Sequence, residues 1–352
     1  MSAAEARRSA ALPDGADTGV DLVALERWLR QRFGHDGALS GIQVLGGGTQ
    51  NMMIGFSFAG RSLVLRHPPR HKRPESDEVI RREVRMLGVL DDTDVPRPQL
   101  RGACLDTTVL GSVFYVMDHI PGFNPVEELP LPLSSDPDWQ HAVGLGVADA
   151  LGRLGRVPPE PAVDAGFRPP QGWLERQPAR WLTQLRSYAA TDLLAAGEAL
   201  ADWLSRRVPR TWQPGIVHGD YNLGNVLIRP DRPAVAAIVD WELSTLGDPL
   251  LDLAHLLAGW PVDNPHTLYP GLARLALPGH DDLVEAWARV AGRDVHDLDW
   301  YRVLACFRLG ALLEGTYARS LAGLAPTEVG TRLHGLSVGL FAQARGIVGA
   351  RR

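Results

Sequence analysis

Cysteine is scarce in this chain: among 352 residues only Cys104 and Cys306 occur, far apart and without a metal-ligand spacing. That excludes a disulfide framework and leads us to expect a reducing compartment. Positive charge is not in excess. Lysine and arginine number 36 against 41 aspartates and glutamates, a net charge of −5, so there is no general pull toward nucleic acid or an anionic membrane. No apolar run approaches the ~18 residues that would cross a bilayer. The opening MSAAEARRSAALPDGADTGV lacks the apolar stretch of a secretory signal. No repeat or coiled-coil heptad is visible. These absences predict a cytoplasmic protein with neither nucleic-acid nor membrane partners.

What is present is an ordinary globular composition, 45% hydrophobic and 22% charged, enough for one unit of two lobes. Residues 1–17 are small and polar and are expected to be disordered. Leu22, Leu25, Trp28 and Leu29 share a helical face after Asp21. Met52, Ile54, Phe56 and Phe58 alternate as in a strand, and Ala59-Gly60 turns the chain into a second strand over Ser62 to Arg66. Ser76 is expected to cap a helix whose inner stripe is Ile80, Val84 and Leu87, with Glu83 at the stripe's edge. Val113 to Met117 reads as a buried strand, and Pro121-Gly122 punctuates the chain just beyond it. The expected division is therefore an N-lobe over 18–120 and a helical C-lobe over 121–352. The stretch from about 160 to 180, rich in Pro and Trp, reads as irregular.

The chemistry concentrates in HGDYNLGNVL at 218–227 and IVDWE at 238–242. Asp220 and Asn225 stand five apart, the spacing of Asp and Asn in the kinase loop H-R-D-x-x-x-x-N. Val235 to Val239 is a short apolar run that delivers Asp240 at a strand's end. Phosphoryl transfer needs positioning, cancellation of phosphate charge by metal, and a base near the attacking oxygen. Asp220 is the candidate base; Asn225 and Asp240 offer the hard oxygen ligands that Mg2+ requires. His218 is read as an orienting buried histidine. Gly46 to Asn51 (GGGTQN) precedes a strand, not a helix, which excludes a Rossmann turn. The same context suits a glycine-rich loop over phosphates, with Gly47, Gly48, Thr49 and Asn51 as its working residues.

These motifs, with DWELSTLGDPLLDLA at 240–254, VLRHPP at 64–69, FYVMDHIPG at 114–122 and EGTYAR at 314–319, resemble the aminoglycoside phosphotransferase and choline kinase-like family. The likeness is greatest to the subgroup of kinase-like domains associated with acyl-CoA dehydrogenases, and it covers roughly residues 20 to 340. It implies an α+β, two-lobed protein-kinase-like fold with a small antiparallel sheet and a large, mostly helical C-lobe. It also implies ATP or GTP as co-substrate, with Mg2+. Arg66 falls where kinases carry a lysine for the α- and β-phosphates, with Glu83 as its expected partner. Met117, Asp118 and Ile120 fall at the hinge, where backbone groups meet the adenine edge. Asp248 and Asp252 are expected to cap a helix and brace the catalytic loop.

The acceptor is less legible. After Gly315 the chain has one acidic residue, Glu328, against Arg319, Arg332, Arg345, Arg351 and Arg352. A polycationic aminoglycoside calls for the opposite charge. A neutral or anionic hydroxyl compound fits better, and the subgroup's likeness implies a hydroxyacyl thioester or hydroxy acid. An antibiotic phosphotransferase and a non-catalytic nucleotide-binding module stand as alternatives. A protein kinase is disfavoured, because D-F-G and A-P-E are lacking and a helix signal follows Asp240 directly. Monomer and homodimer are both open.

Overall fold

A computed structural model describes residues 10–11, 19–45, 52–69, 72–168, 172–188, 192–262, 264 and 267–350. The chain divides into two compact units. One comprises Met1–Gly122 with the returning segment Ala236–Glu242, the other Phe123–Val235 with Leu243–Arg352. The return differs from a single break near residue 120. Its cause is local: Ile238 N–H donates to the Pro96 carbonyl, and Asp240 pairs with Arg66.

In the first unit the elements are β1 (Ala10–Ala11), α1 (Leu22–Phe33), β2 (Ser40–Leu45), β3 (Met52–Phe58), β4 (Arg61–His67), α2 (Ser76–Val89), β5 (Leu100–Cys104) and β6 (Phe114–Asp118). The strands form one antiparallel sheet in the order β1-β2-β3-β4-β6-β5. Of the segment expected to be disordered, Ala10 and Ala11 instead pair with β2, whose edge offers backbone partners; the rest lies outside the described residues. Asp21 caps α1 by accepting from Ala24 N–H, and Gly34 ends it in the left-handed region. Ala59 and Gly60 both have positive φ, 49° and 75°, as a two-residue hairpin between right-twisted strands requires.

Period-two alternation then decides which side chains share a face. Ile54, Phe56 and Phe58 of β3, Leu63 and Leu65 of β4, and Phe114 and Val116 of β6 pack with Leu25 and Leu29 of α1. Arg66 and Tyr115, cross-strand neighbours, therefore point to the opposite face. Two expectations for α2 need correction. Ser76 does not cap it: Glu75 is the cap residue without a side-chain bond, and the Ser76 hydroxyl accepts from Arg73 N–H. Glu83 is not at the stripe's edge but fully buried beside Ile80, Met86 and Leu87, with Val84 half-buried. Its full burial is tolerated because the charge is met inside the fold by Arg66, the partner expected for it.

The second unit contains α3 (Pro137–Gly155), α4 (Glu160–Asp164), α5 (Trp173–Arg186), α6 (Leu194–Arg206), β7 (Gly215–Val217), β8 (Val226–Ile228), β9 (Val235–Ile238, whose last three residues belong to the first unit), β10 (Thr245–Gly247), α7 (Leu250–Gly259), α8 (His280–Ala291), α9 (Leu298–Leu321) and α10 (Thr327–Ala350). The stretch read as irregular holds α4 and the start of α5; Pro178 lies within α5, and buried Trp173 and Trp181 anchor that helix in the core. Helix α7 is buried along its whole length, Asp252 and His255 included. Helix α9 packs on α7 and α10. At Gly310 an added Cβ would lie 2.6 Å from the Phe341 ring, so this glycine sets how closely α9 and α10 approach. Strands β7 and β10 pair antiparallel and flank the 218–225 loop.

Candidate active site

In the helical unit, the chain leaves β7 at Val217 and turns through Gly219 at φ 87°. That turn carries His218 inward, fully buried, with its ring edge-on to Tyr221. Asp252, one turn into α7, accepts the N–H of His218 at 2.5 Å and of Gly219 at 2.9 Å. Burial pushes the Asp252 carboxyl up, against these two backbone donors and the nearby histidines. Asp248 accepts from Leu250 N–H at the head of α7 and from the Tyr301 hydroxyl. Arg308 of α9 donates to the Gly219 carbonyl. The loop backbone is thus held from two helices.

Asp220 follows on this brace. Its Oδ2 accepts from Asn225 Nδ2 at 2.9 Å, and the same Nδ2 donates to the Asp220 carbonyl at 2.8 Å. The chain brings Asn225 back through a 3-10 turn over Leu223–Asn225, capped by the Asn222 side chain. Asp220 Oδ1 lies 3.2 Å from His255 Nε2. Burial works to raise this carboxyl, but His255, with His218 and Arg308 behind it, holds it below the ordinary carboxylate value. The carboxylate is thus favoured in its ionised form.

In the sheet unit, Arg66 meets Glu83 in a two-pronged pair, Nε to Oε2 at 2.7 Å and Nη2 to Oε1 at 2.5 Å. The Tyr115 hydroxyl donates to Glu83 Oε2 at 3.0 Å. Arg66 Nη2 also reaches Asp240 Oδ1 at 3.0 Å and Glu242 Oε2 at 3.4 Å. Burial opposes the charge on Arg66, but Glu83, Tyr115 and Asp240 more than offset it and hold the guanidinium above its ordinary value. Asp240 closes β9 at φ 67°, a left-handed conformation uncommon outside glycine and asparagine or aspartate. Its side chain is 42% exposed. Glu83, Asp240 and Glu242 lie close enough to share a cation, but both Glu83 oxygens are occupied by Arg66 and Tyr115.

At the end of β6, Met117 is buried, and Asp118 makes a two-pronged ion pair with Arg101 at 2.7 and 2.6 Å. Asp118 N–H donates to the Gln99 carbonyl and His119 N–H to the Ser62 carbonyl; Ile120 follows, half-buried. Gly47, Gly48, Thr49 and Asn51 lie outside the described residues. The structure adds groups that the sequence reading did not select: Tyr115, Glu242, His255, Arg308 and Tyr269, whose hydroxyl donates to Asn222 Oδ1 at 2.8 Å. Glu242 was signalled by the spacing D-x-E, and His255 by its place three residues after Asp252 in an otherwise apolar helix.

A sheet unit with a buried Arg–Glu pair and a helical unit with a braced Asp–Asn loop define an α+β fold of the protein-kinase-like class. The chain belongs to the phosphotransferase enzyme family, whose model matches residues 41–293. It is similar to acyl-CoA dehydrogenase family member 10 of Mus musculus, 29% identical over 309 residues covering 86% of this chain. The match spans only 29% of that relative's length. Among solved structures, one from Ralstonia eutropha JMP134, provisionally assigned as an aminoglycoside phosphotransferase, superposes with a TM-score of 0.77 at 27% identity over 93% of this chain and 99% of its own. The GDP complex of aminoglycoside 2'-phosphotransferase-IIIa shares the fold, with a TM-score of 0.64 at 16% identity over 92% and 99%. No helix among the described residues is long and apolar enough to cross a membrane.

Proposed function

We propose that the protein is a small-molecule O-phosphotransferase that moves the γ-phosphate of ATP or GTP to a hydroxyl of its acceptor. The observation that carries this reading is the hydrogen-bonded pair Asp220–Asn225, with the carboxylate held ionised beside His255. In the reaction Asp220 receives or orients the proton of the acceptor hydroxyl. Asn225 and Asp240 are the residues that would hold magnesium. Their chemistry fits a hard cation: with Asn225 Nδ2 committed to Asp220, its Oδ1 is the atom left to coordinate. Magnesium, when bound, supplies charge neutralisation on the transferring phosphate.

Arg66, whose Nε and Nη2 are held by Glu83, is the proposed cationic partner of the α- and β-phosphates. Because the Asp118 N–H is taken by Gln99, its carbonyl and the Ile120 N–H are the backbone groups assigned to the base, beside Met117. Gly47, Gly48, Thr49 and Asn51, read from the sequence as a glycine-rich phosphate loop, belong to the same proposal. A cytoplasmic location belongs to the same reading.

For the acceptor, the arginine-rich end of the chain and the acyl-CoA dehydrogenase name of a relative favour an anionic hydroxy compound, a hydroxyacyl thioester or hydroxy acid. The aminoglycoside phosphotransferase fold neighbours favour an antibiotic acceptor as second reading, against the charge argument. The test is a melting shift with Mg·ATP and Mg·GTP, followed by transfer of labelled γ-phosphate to pooled hydroxyacyl-CoAs, hydroxy acids, aminoglycosides and macrolides. Neither shift nor transfer would defeat the proposal. A shift without transfer to any pool would favour a nucleotide-binding module.

A further inference from the structure

The reaction outlined above uses His255 only as the group that keeps Asp220 ionised. It lies on α7 three residues after Asp252, so one face of the helix carries both. Asp252 takes the loop's backbone amides and His255 meets the side chain of Asp220 at 3.2 Å. The imidazole is 3% exposed. Its other nitrogen, Nδ1, is buried and has no hydrogen-bond partner among the described residues. An ionised carboxylate only accepts, so the contact requires a proton on Nε2. A proton on Nδ1 would be a buried donor with nothing to receive it, which folded proteins avoid more strictly than a bare acceptor. Both nitrogens thus point to one tautomer.

We propose that His255 is a positioning residue for Asp220, held as the Nε2–H tautomer. Its N–H on Oδ1, with the Asn225 amide on Oδ2, stops the carboxylate from rotating and leaves one orientation toward the acceptor hydroxyl. It acts through Asp220 and touches no reactant. The inference rests on Asp220 being the base. A histidine that merely fills space at this point would need volume alone, and three substitutions separate the two roles. Glutamine places an amide donor about where Nε2 stands, asparagine ends short of it, and phenylalanine keeps the ring without a donor.

The probe is steady-state hydrolysis of Mg·ATP, with water standing in for the acceptor. His255→Phe and His255→Asn should lower kcat about 10- to 100-fold, the rate equivalent of one hydrogen bond to a charged group. KM for ATP should stay within about twofold, because ground-state nucleotide binding is untouched. His255→Gln should recover most of the loss. Equal losses in all three variants, or none in His255→Phe, would overturn the proposal. Full hydrolysis by Asp220→Asn would instead remove the base assignment on which it rests. A second readout needs no turnover: nitrogen-15 histidine spectra of the intact protein at neutral pH should show a ring with protonated Nε2 and bare Nδ1 that is absent in His255→Gln. A proton on Nδ1 of that ring would overturn the assignment.

Discussion

The guanidinium of Arg66 and the carboxylate of Glu83 meet edge to edge through two hydrogen bonds, 2.7 and 2.5 Å, on a strand and a helix 17 residues apart in the chain. Glu83 has no exposed surface and the Arg66 side chain is 7% exposed. The guanidinium fork satisfies both oxygens of one acid and still reaches Asp240. An ammonium has the charge but not that geometry.

Removing the acid alone is expected to be costly. Glu83→Gln turns an amide donor toward a buried cation, and breaking such a pair costs about 3–5 kcal/mol. Urea unfolding of wild type and variant measures it. An unchanged midpoint would show that Asp240 and Glu242 neutralise Arg66 by themselves. Arg66→Lys should fall between the two.

Gly219→Ala tests the loop's turn. The residue has φ 87°, and an added Cβ would lie 2.7 Å from the Leu243 carbonyl oxygen. Strain of this kind costs on the order of 1–3 kcal/mol, and relief would shift the backbone that carries Asp220. We expect a lowered melting temperature together with loss of Mg·ATP hydrolysis; wild-type behaviour in both would show that the turn is not constrained.

The depressed Asp220 carboxyl makes a signed prediction about pH. A group whose folded value lies below its unfolded value stabilises fully above the latter, near ~3.9 for aspartate. That contribution is lost as pH falls through the lower, folded value. The stability gap between wild type and Asp220→Asn should therefore be constant from pH 7 to 5 and shrink below about 4. A gap that narrows already between pH 7 and 5 would contradict the direction of the shift.

Asn225→Asp separates the hydrogen bond the amide makes to Asp220 from the cation ligation proposed for it. The variant keeps an oxygen for a cation but loses the N–H that holds Asp220, and sets two carboxylates within hydrogen-bonding distance of each other. Like charges so close raise one carboxyl's pKa. Mg·ATP hydrolysis should fall at neutral pH and recover in part as magnesium is raised. Activity equal to wild type at low magnesium would mean that the donated hydrogen bond is dispensable.

Much of this architecture can be read from residues alone, for identifiable reasons. The β3–β4 hairpin follows from strict alternation and a small-residue turn, and the Asp220–Asn225 spacing marks a loop whose chemistry tolerates little variation. The Arg66–Glu83 pair was legible because Glu83 sits beside the apolar stripe of α2, but its complete burial was not, since periodicity alone does not reveal that Tyr115 also donates to it. The helices of 160–180 were hidden by prolines at positions a helix can accept, two of them, Pro159 and Pro161, at the start of α4. His255 and Arg308 were missed for a different reason. Each lies far along the chain from the loop it serves, and a single polar residue in an apolar helix announces an exception without naming its partner.

The backbone at Asp240 sets one further limit on this chain. A left-handed dihedral at the end of a strand admits glycine more readily than aspartate, and asparagine about as readily, so shape alone would permit three residue types at position 240. Only one of them brings a full negative charge to the face of Arg66. Evolutionary drift at this position could therefore produce chains that fold and pack as before yet have lost their electrostatic counterweight, and sequence similarity alone would not tell such silent descendants from working enzymes.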